Sequence, residues 1–326
     1  FSLKNMLRVT CFAFRVSRCV LRVKSAKHRF SAIISQPATR NPVTRDPHPQ
    51  HETRNTKHAM SVITILSDFG TDDEYVGVMK GVMLAVNPSL SIVDITHKIA
   101  PQDIHQAAYL IPSYYHYFPE GTVHIVVVDP GVGSRRSILA VHHRKHFFMA
   151  PDNGVLTLLL NAEKSDTIIR VDNSNYFLEP VSSTFHGRDI FAAVGAHLCR
   201  GTKLDALGTR ADHKDIVRIK GLSCRISQTG DLIGRIVSID RFGNLITNID
   251  SISLAAFSKT GTSTHPQIHL GPLVISGLSR TYSDVAPTAP LALIGSRNYL
   301  EIAVNSGSAK ETLKAQMGDP VRLTLS

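Results

Sequence analysis

The chain of 326 residues contains no tryptophan, only four cysteines and few aromatic residues, 6 % in all. Cys11, Cys19, Cys199 and Cys224 form no CxxC pair, so neither a zinc site nor a disulfide framework is indicated. Such usage fits a reducing cytoplasm. His142, His143 and His146 in HHRKH match no metal-ligand spacing and read as a polar turn or strand edge, so no metal is expected. No apolar run approaches the roughly 18 residues that a membrane-spanning helix needs, and no membrane partner is expected. Acid is scarce at one end alone. Residues 1–59 hold 12 Lys/Arg against 2 Asp/Glu, which accounts for the whole net charge of +10, and the remainder carries 24 of each. A neutral body gives no electrostatic reason for a nucleic-acid partner.

The basic leader, FSLKNMLRVTCFAFRVSRCVLRVKSAKHRF, has arginines every few residues and no clean signal-peptide core. It reads as an organellar transit peptide or, the reading we favour, as upstream translated sequence or an unstructured extension. Met60, directly before the first strand pattern, is then the working start. PATRNPVTRDPHPQHETRNTKH is polar, broken by proline and of disordered type.

From residue 60 to 213 short β-rich runs alternate with helical patterns, which predicts an α/β domain with a mainly parallel sheet. VITILSD, SIVDI, TVHIVVVD and HFFMAP are the strand candidates. Between the first two, Tyr75, Met79, Val82 and Val86 recur at helical spacing, with Thr71 and Glu74 placed for a capping box. From 214 to 326 the chain turns to short strands broken by glycine, IGRIVSIDRFGNLITNI, APLALIGSRNYLEIAVN and VRLTL, which predicts a smaller β-rich, barrel-like or sandwich domain.

Ligands of open α/β sheets lie at the carboxyl ends of the strands. Asp68 ends VITILSD and Asp129 ends VHIVVVD, so both open on that edge. Asp68 sits where a carboxylate holds a ribose diol, or where it and Asp72 and Asp73 simply complement a helix N-terminus. For Asp129, one reading is a carboxylate bonded to the Pro-Gly-Val-Gly turn with Arg136 as a surface charge. The other folds the turn back through Gly131 and Gly133 so that Arg136 meets Asp129 beside a ligand. His186, in TFHGRDIFA, stands before a helical pattern that continues through FAAVGAHL. It is a satisfied turn residue or a third group beside the pair, able to help hold and polarise a water.

LSDFGTDDEYVGVMKG, VVVDPGVGSRR, APDNGVL, TFHGRDIFA, IDRFGNLITNI and GSRNYLEIAVNSGSA, taken in this order, resemble the S-adenosyl-L-methionine (SAM) hydroxide adenosyltransferases, or SAM hydrolases, relatives of fluorinase and chlorinase. The likeness covers essentially all of residues 61–326. It departs at Asn298, where a small residue or glycine is expected. The resemblance implies attack of water or hydroxide on C5′ of SAM, giving adenosine and L-methionine, with SAM as substrate and no separate cofactor. It implies a catalytic triad of Asp129, Arg136 and His186. It places Asp68 on the ribose hydroxyls, Asp73 and Asp240 on the methionine ammonium, and Ser296 and Arg297 on its carboxylate. Phe242, Asn244 and backbone near Ser306 would face adenine, in sites shared between subunits of a homotrimer. The alternatives are a SAM-dependent halogenase, in which halide replaces water, and a non-catalytic SAM sensor.

Overall fold

The computed structural model describes residues 61–160, 167–259 and 265–325, and the leader and the Met60 start lie outside them. The first sheet contains β1 (Val62–Ser67), β2 (Ser91–Thr96), β3 (Val123–Val127), β4 (Ile138–His143), β5 (His146–Pro151), β6 (Thr167–Val171) and β7 (Gly208–Ala211). Its order is β2-β1-β3-β5-β4-β6-β7. The first four strands in that order run parallel, and β4, β6 and β7 add an antiparallel half. The sheet is therefore mixed. Its inner parallel strands β1, β3 and β5 are nearly continuous in apolar residues because both faces are covered, whereas the edge strand β2 is partly exposed. On β3 and the residue after it, Val123, Ile125 and Val127 point into one core, with α1 (Tyr75–Val86) and the helix of Ala193–Cys199; Val126 and Val128 point into the other, with α2 (Ile104–Tyr114).

The α1 boundary differs from the expected capping box. The helix begins at Tyr75, so Glu74 is itself the cap residue, not one three positions inside, and its side chain makes no capping bond. The buried stripe is Val76, Met79 and Met83, while Tyr75 stays exposed. HHRKH forms the β4–β5 hairpin, with Arg144 and Lys145 at positive φ in the turn.

The second sheet contains β8 (Arg225–Ile226), β9 (Leu232–Ile239), β10 (Leu245–Asp250), β11 (Pro266–Leu270), β12 (Leu273–Ser276), β13 (Pro290–Ile294), β14 (Tyr299–Val304) and β15 (Pro320–Leu325). It is antiparallel throughout, in the order β12-β11-β15-β9-β10-β14-β13, with β8 beside β9. Strands β12 and β13 approach each other, so it is a nearly closed barrel. Leu232, Ile236, Leu245, Ile268, Ile302 and Leu323 fill its interior. Both sheets belong to one compact unit. They meet where Ala108 and Tyr109 of α2 pack on Leu222 and Val237, and the Tyr109 hydroxyl donates to the Leu222 carbonyl. No helix among the described residues is long and apolar enough to cross a membrane.

Candidate active site

Asp129 leaves the carboxyl end of β3 after Val128, and the chain at once makes two tight turns. Val132 N–H donates to the Asp129 carbonyl at 3.2 Å and Ser134 N–H to the Gly131 carbonyl at 3.1 Å. The turns carry Arg136 back over Asp129. Its Nε donates to Oδ1 at 2.8 Å and a terminal nitrogen donates to Oδ2, a two-pronged ion pair in which both side chains are largely buried. The same terminal nitrogen lies 3.0 Å from His186 Nδ1. Arg136 is therefore the bridge of an Asp129–Arg136–His186 cluster.

Two further loops hold that cluster. Gly133 has φ +75°, and a Cβ there would sit 2.2 Å from the Ser183 carbonyl oxygen, so only glycine permits this approach to the segment that carries His186. Asp189, fully buried, accepts from Ser182 N–H at 2.8 Å and from Arg188 Nε at 2.5 Å, tying the turn before His186 to the π-helical turn Gly187–Ala192 after it. Asn153 of APDNG donates to the Val128 carbonyl at 2.9 Å and so steadies the strand end beside Asp129.

Because an arginine N–H only donates, His186 Nδ1 must accept, which places the ring proton on Nε2 of a neutral imidazole. Burial, and then the positive charge of Arg136, push the His186 pKa below its ordinary 6.5, against the opposing pull of Asp129 and Asp189. The cluster thus offers a carboxylate, a guanidinium and an imidazole N–H together at a strand edge.

Asp68 lies on the same edge, at the end of β1, where its Oδ2 accepts from Gln102 N–H at 2.8 Å. Asp73 is exposed just before α1. Phe69, Tyr75 and Phe185 make edge-on and tilted contacts at 5.1 to 6.0 Å between ring centres, an aromatic wall next to Asp68 and His186 in sequence.

The other expected residues gather elsewhere. Asp240, Phe242, Asn244, Ser296, Arg297 and Ser306 all line one cavity of about 720 Å³ on the barrel, within the usual range for small-molecule sites. None of Asp68, Asp73, Asp129, Arg136 or His186 lines it. Asp240 organises the loop: Oδ1 accepts from Phe242 N–H and Asn244 N–H, and Oδ2 from Asn244 Nδ2 at 3.0 Å. Phe242 is 74 % exposed at the rim. Arg297 donates to Ser238 Oγ at 3.1 Å. Asn298 occupies the left-handed region at φ +65°, which asparagine tolerates better than most residues, so its turn keeps the shape that glycine gives.

Sequence reasoning missed Tyr282 and Glu301, which also line this cavity. A signal existed for Glu301: it is the one acid within the apolar strand YLEIAV. Tyr282 lies in a loop without periodicity and gave none. Asn153 and Asp189 lay inside quoted motifs, but their backbone partners are not visible in spacing.

The fold and this pair of polar sites define an α/β protein with an appended barrel, equipped for a polar small molecule. The SAM hydroxide adenosyltransferase N-terminal domain matches residues 63–208 and the corresponding C-terminal domain residues 234–322. The chain belongs to the SAM hydroxide adenosyltransferase family. It is 36 % identical to an (R)-S-adenosyl-L-methionine hydrolase of Thermus thermophilus over 271 residues, 81 % of this chain and 100 % of the relative. A fluorinase of Actinopolyspora mzabensis is 28 % identical over 297 residues, 82 % and 99 % of the two chains. The crystal structure of an uncharacterized conserved protein from Thermotoga maritima superposes with a TM-score of 0.73 at 34 % identity, covering 80 % of this chain and 99 % of that one.

Proposed function

We propose that the chain is a SAM hydrolase, cleaving SAM with water to adenosine and L-methionine. The observation that carries this reading is the Arg136 bridge between Asp129 and His186 at the carboxyl edge of the parallel strands. The sulfonium of SAM leaves as a neutral thioether, so the reaction asks for no stabilised oxyanion. It asks for a water held in line and relieved of a proton. In the step proposed, the water oxygen bonds to C5′ as the C5′–S pair withdraws to sulfur. Asp129 retains lone pairs beyond those Arg136 uses and takes the proton, while His186 Nε2–H orients the oxygen. A weak base suffices, because the proton becomes strongly acidic only as the C–O bond forms.

In this reading the barrel cavity binds the rest of the molecule. Arg297 and Ser296 receive the methionine carboxylate, and Asp240 and Asp73 the ammonium. Phe242 stacks on adenine, Asn244 offers its amide carbonyl, and backbone near Ser306 completes the contact. Asp68 takes the ribose hydroxyls. The absence of the strand-edge residues from the lining of the barrel cavity, and the open ring of Phe242, favour a homotrimer in which one subunit's strand edge faces a neighbour's cavity. We place the enzyme in the cytoplasm, with Cys199 and Cys224 as free thiols, and assign it no nucleic-acid partner.

A halogenase reading gains from the fluorinase relative, but Asp129 disfavours it. A halide about 4 Å from a carboxylate meets a repulsion of about 4 kcal/mol at an effective dielectric of about 20. The test is turnover of SAM in water enriched in heavy oxygen with added chloride or fluoride. Label is expected in the 5′-hydroxyl of adenosine. A 5′-halo-5′-deoxyadenosine as main product overturns the assignment, and SAM binding without any product favours a sensor.

A further inference from the structure

Glu301 is an anomaly of the barrel. It lies in mid-β14, in register between Ile246 of β10 and Leu293 of β13, and is only 7 % exposed. Its neighbours Leu300 and Ile302 point into the barrel interior, whereas Glu301 lines the cavity. Ionisable side chains at central, buried strand positions are rare unless something engages them. Tyr282 does so in part, donating its hydroxyl to Oε1 at 2.6 Å. Oε2 lies against Gly295, where a Cβ would come within 2.4 Å of it. Gly295 has no unusual φ that would demand glycine, so the space kept there is space for the Glu301 carboxyl.

The charges facing Glu301 come from each segment around the cavity: Asp240 after β9, Arg297 in the β13–β14 turn and the Tyr282 hydroxyl. Burial and the repulsion of Asp240 raise the Glu301 pKa above its ordinary 4.5, while Tyr282 and Arg297 pull the other way. Asp240 and Glu301 thus oppose one guanidinium, and Asp240 already accepts three hydrogen bonds from its own loop. The cavity carries one acid more than it has bases, and the acid least engaged by the protein is Glu301.

We propose that Glu301, anchored by Tyr282 and accommodated by Gly295, is a specificity-determining residue that makes this cavity select a ligand with net positive charge. The inference rests on SAM as the substrate. SAM carries a sulfonium, an ammonium and a carboxylate, one net positive charge, whereas methionine as a zwitterion and adenosine are both neutral. The surplus acid therefore favours substrate over either product and helps the products leave.

The test uses the full chain, with KM for SAM from initial rates and the inhibition constant of S-adenosylhomocysteine, which differs by a neutral thioether in place of the methylated sulfonium. Glu301→Gln is expected to raise KM for SAM about tenfold and the inhibition constant by less than about threefold, with kcat changed far less than KM. Tyr282→Phe, which leaves the fold's charges intact, shifts both in the same direction by less. An equal rise for the two ligands, or no change for SAM, overturns the inference. If Glu301→Gln does not fold, the Tyr282→Phe ratio decides in the same way. A wild-type chain that neither turns over nor binds SAM fails on the proposed function, a result separable from loss of selectivity in the variants alone.

Discussion

Strand β3 has a polar cluster that includes histidine near each end, and the two clusters obey different physics. At its start, fully buried His124 bonds Thr64 Oγ at 2.8 Å and His146 at 3.3 Å, among Tyr114, Tyr115, Phe118 and Phe148. Burial, helped by His146, lowers its pKa to about 3. Beyond its other end, His186 is partly exposed and faces an arginine–carboxylate pair. The first cluster offers its polar atoms to one another and to aromatic rings, and it is packing. The second leaves an N–H and a carboxylate turned to a strand edge. An imidazole among imidazoles is weak evidence of a site; an imidazole whose tautomer is fixed by a charged neighbour is much stronger.

Exchanging chemistry at one end at a time breaks or sharpens that contrast. The largest effect belongs to Asp129→Asn, which should lower turnover by about 10²- to 10⁴-fold with KM for SAM within about tenfold. Mixed with Arg297→Ala under conditions that reassort subunits, it should recover activity if each site draws on two chains. Steady-state assays of the variants and of the mixture check both points. In the proposed mechanism the three groups handle one water as a unit, so Arg136→Ala and His186→Ala should each fall by a similar factor, and the double variant no further. Additive losses would mean separate roles.

A smaller effect concerns acid. The proposed mechanism uses the neutral form of His186, so the acid limb of kcat should lie below pH 6.5 in the wild type, a shift a pH–rate profile reads directly. At the other end, the folded pKa of His124 lies below its unfolded value. Between them the unfolded chain binds more protons, so stability falls as pH drops from 6.5 towards about 3, by up to about 1.4 kcal/mol per pH unit. His124→Phe should flatten that slope in denaturant titrations, cost about 1–3 kcal/mol at neutral pH through the orphaned Thr64 and His146 groups, and leave kcat within about twofold. A marked loss of kcat in that variant would erase the distinction between the two ends.

Much of this architecture was legible because period and burial leave marks in sequence. Strands β1, β3 and β5 stood out as apolar runs, since a parallel sheet covered on both faces selects such runs, and the half-exposed edge strand β2 stood out as the short β-rich run SIVDI. Strands β4, β6 and β7 did not. The β4 run SILAVHH merges with HHRKH, and β6 and β7 are short and mixed in polarity. The Asp129–Arg136 meeting was one of two open readings, because spacing states that a turn exists and not which way it folds. Deciding it took the contact of Gly133 with the Ser183 carbonyl, a tertiary fact with no local signature. Glu301 escaped for a related reason: a lone acid in a strand is visible, but the cavity it faces is made by segments about 60 residues apart.

The approach of Gly133 to Ser183 also bears on motion. With Arg136 bonded to His186, it joins residues 129–136 and 182–189 at two points, so neither segment opens alone. In native-state hydrogen exchange, the amides of Val132 and Ser134 in one loop and of Ser182 in the other should share a single opening free energy. Gly133→Ala should uncouple them, so that two protection levels appear where the wild-type protein shows one.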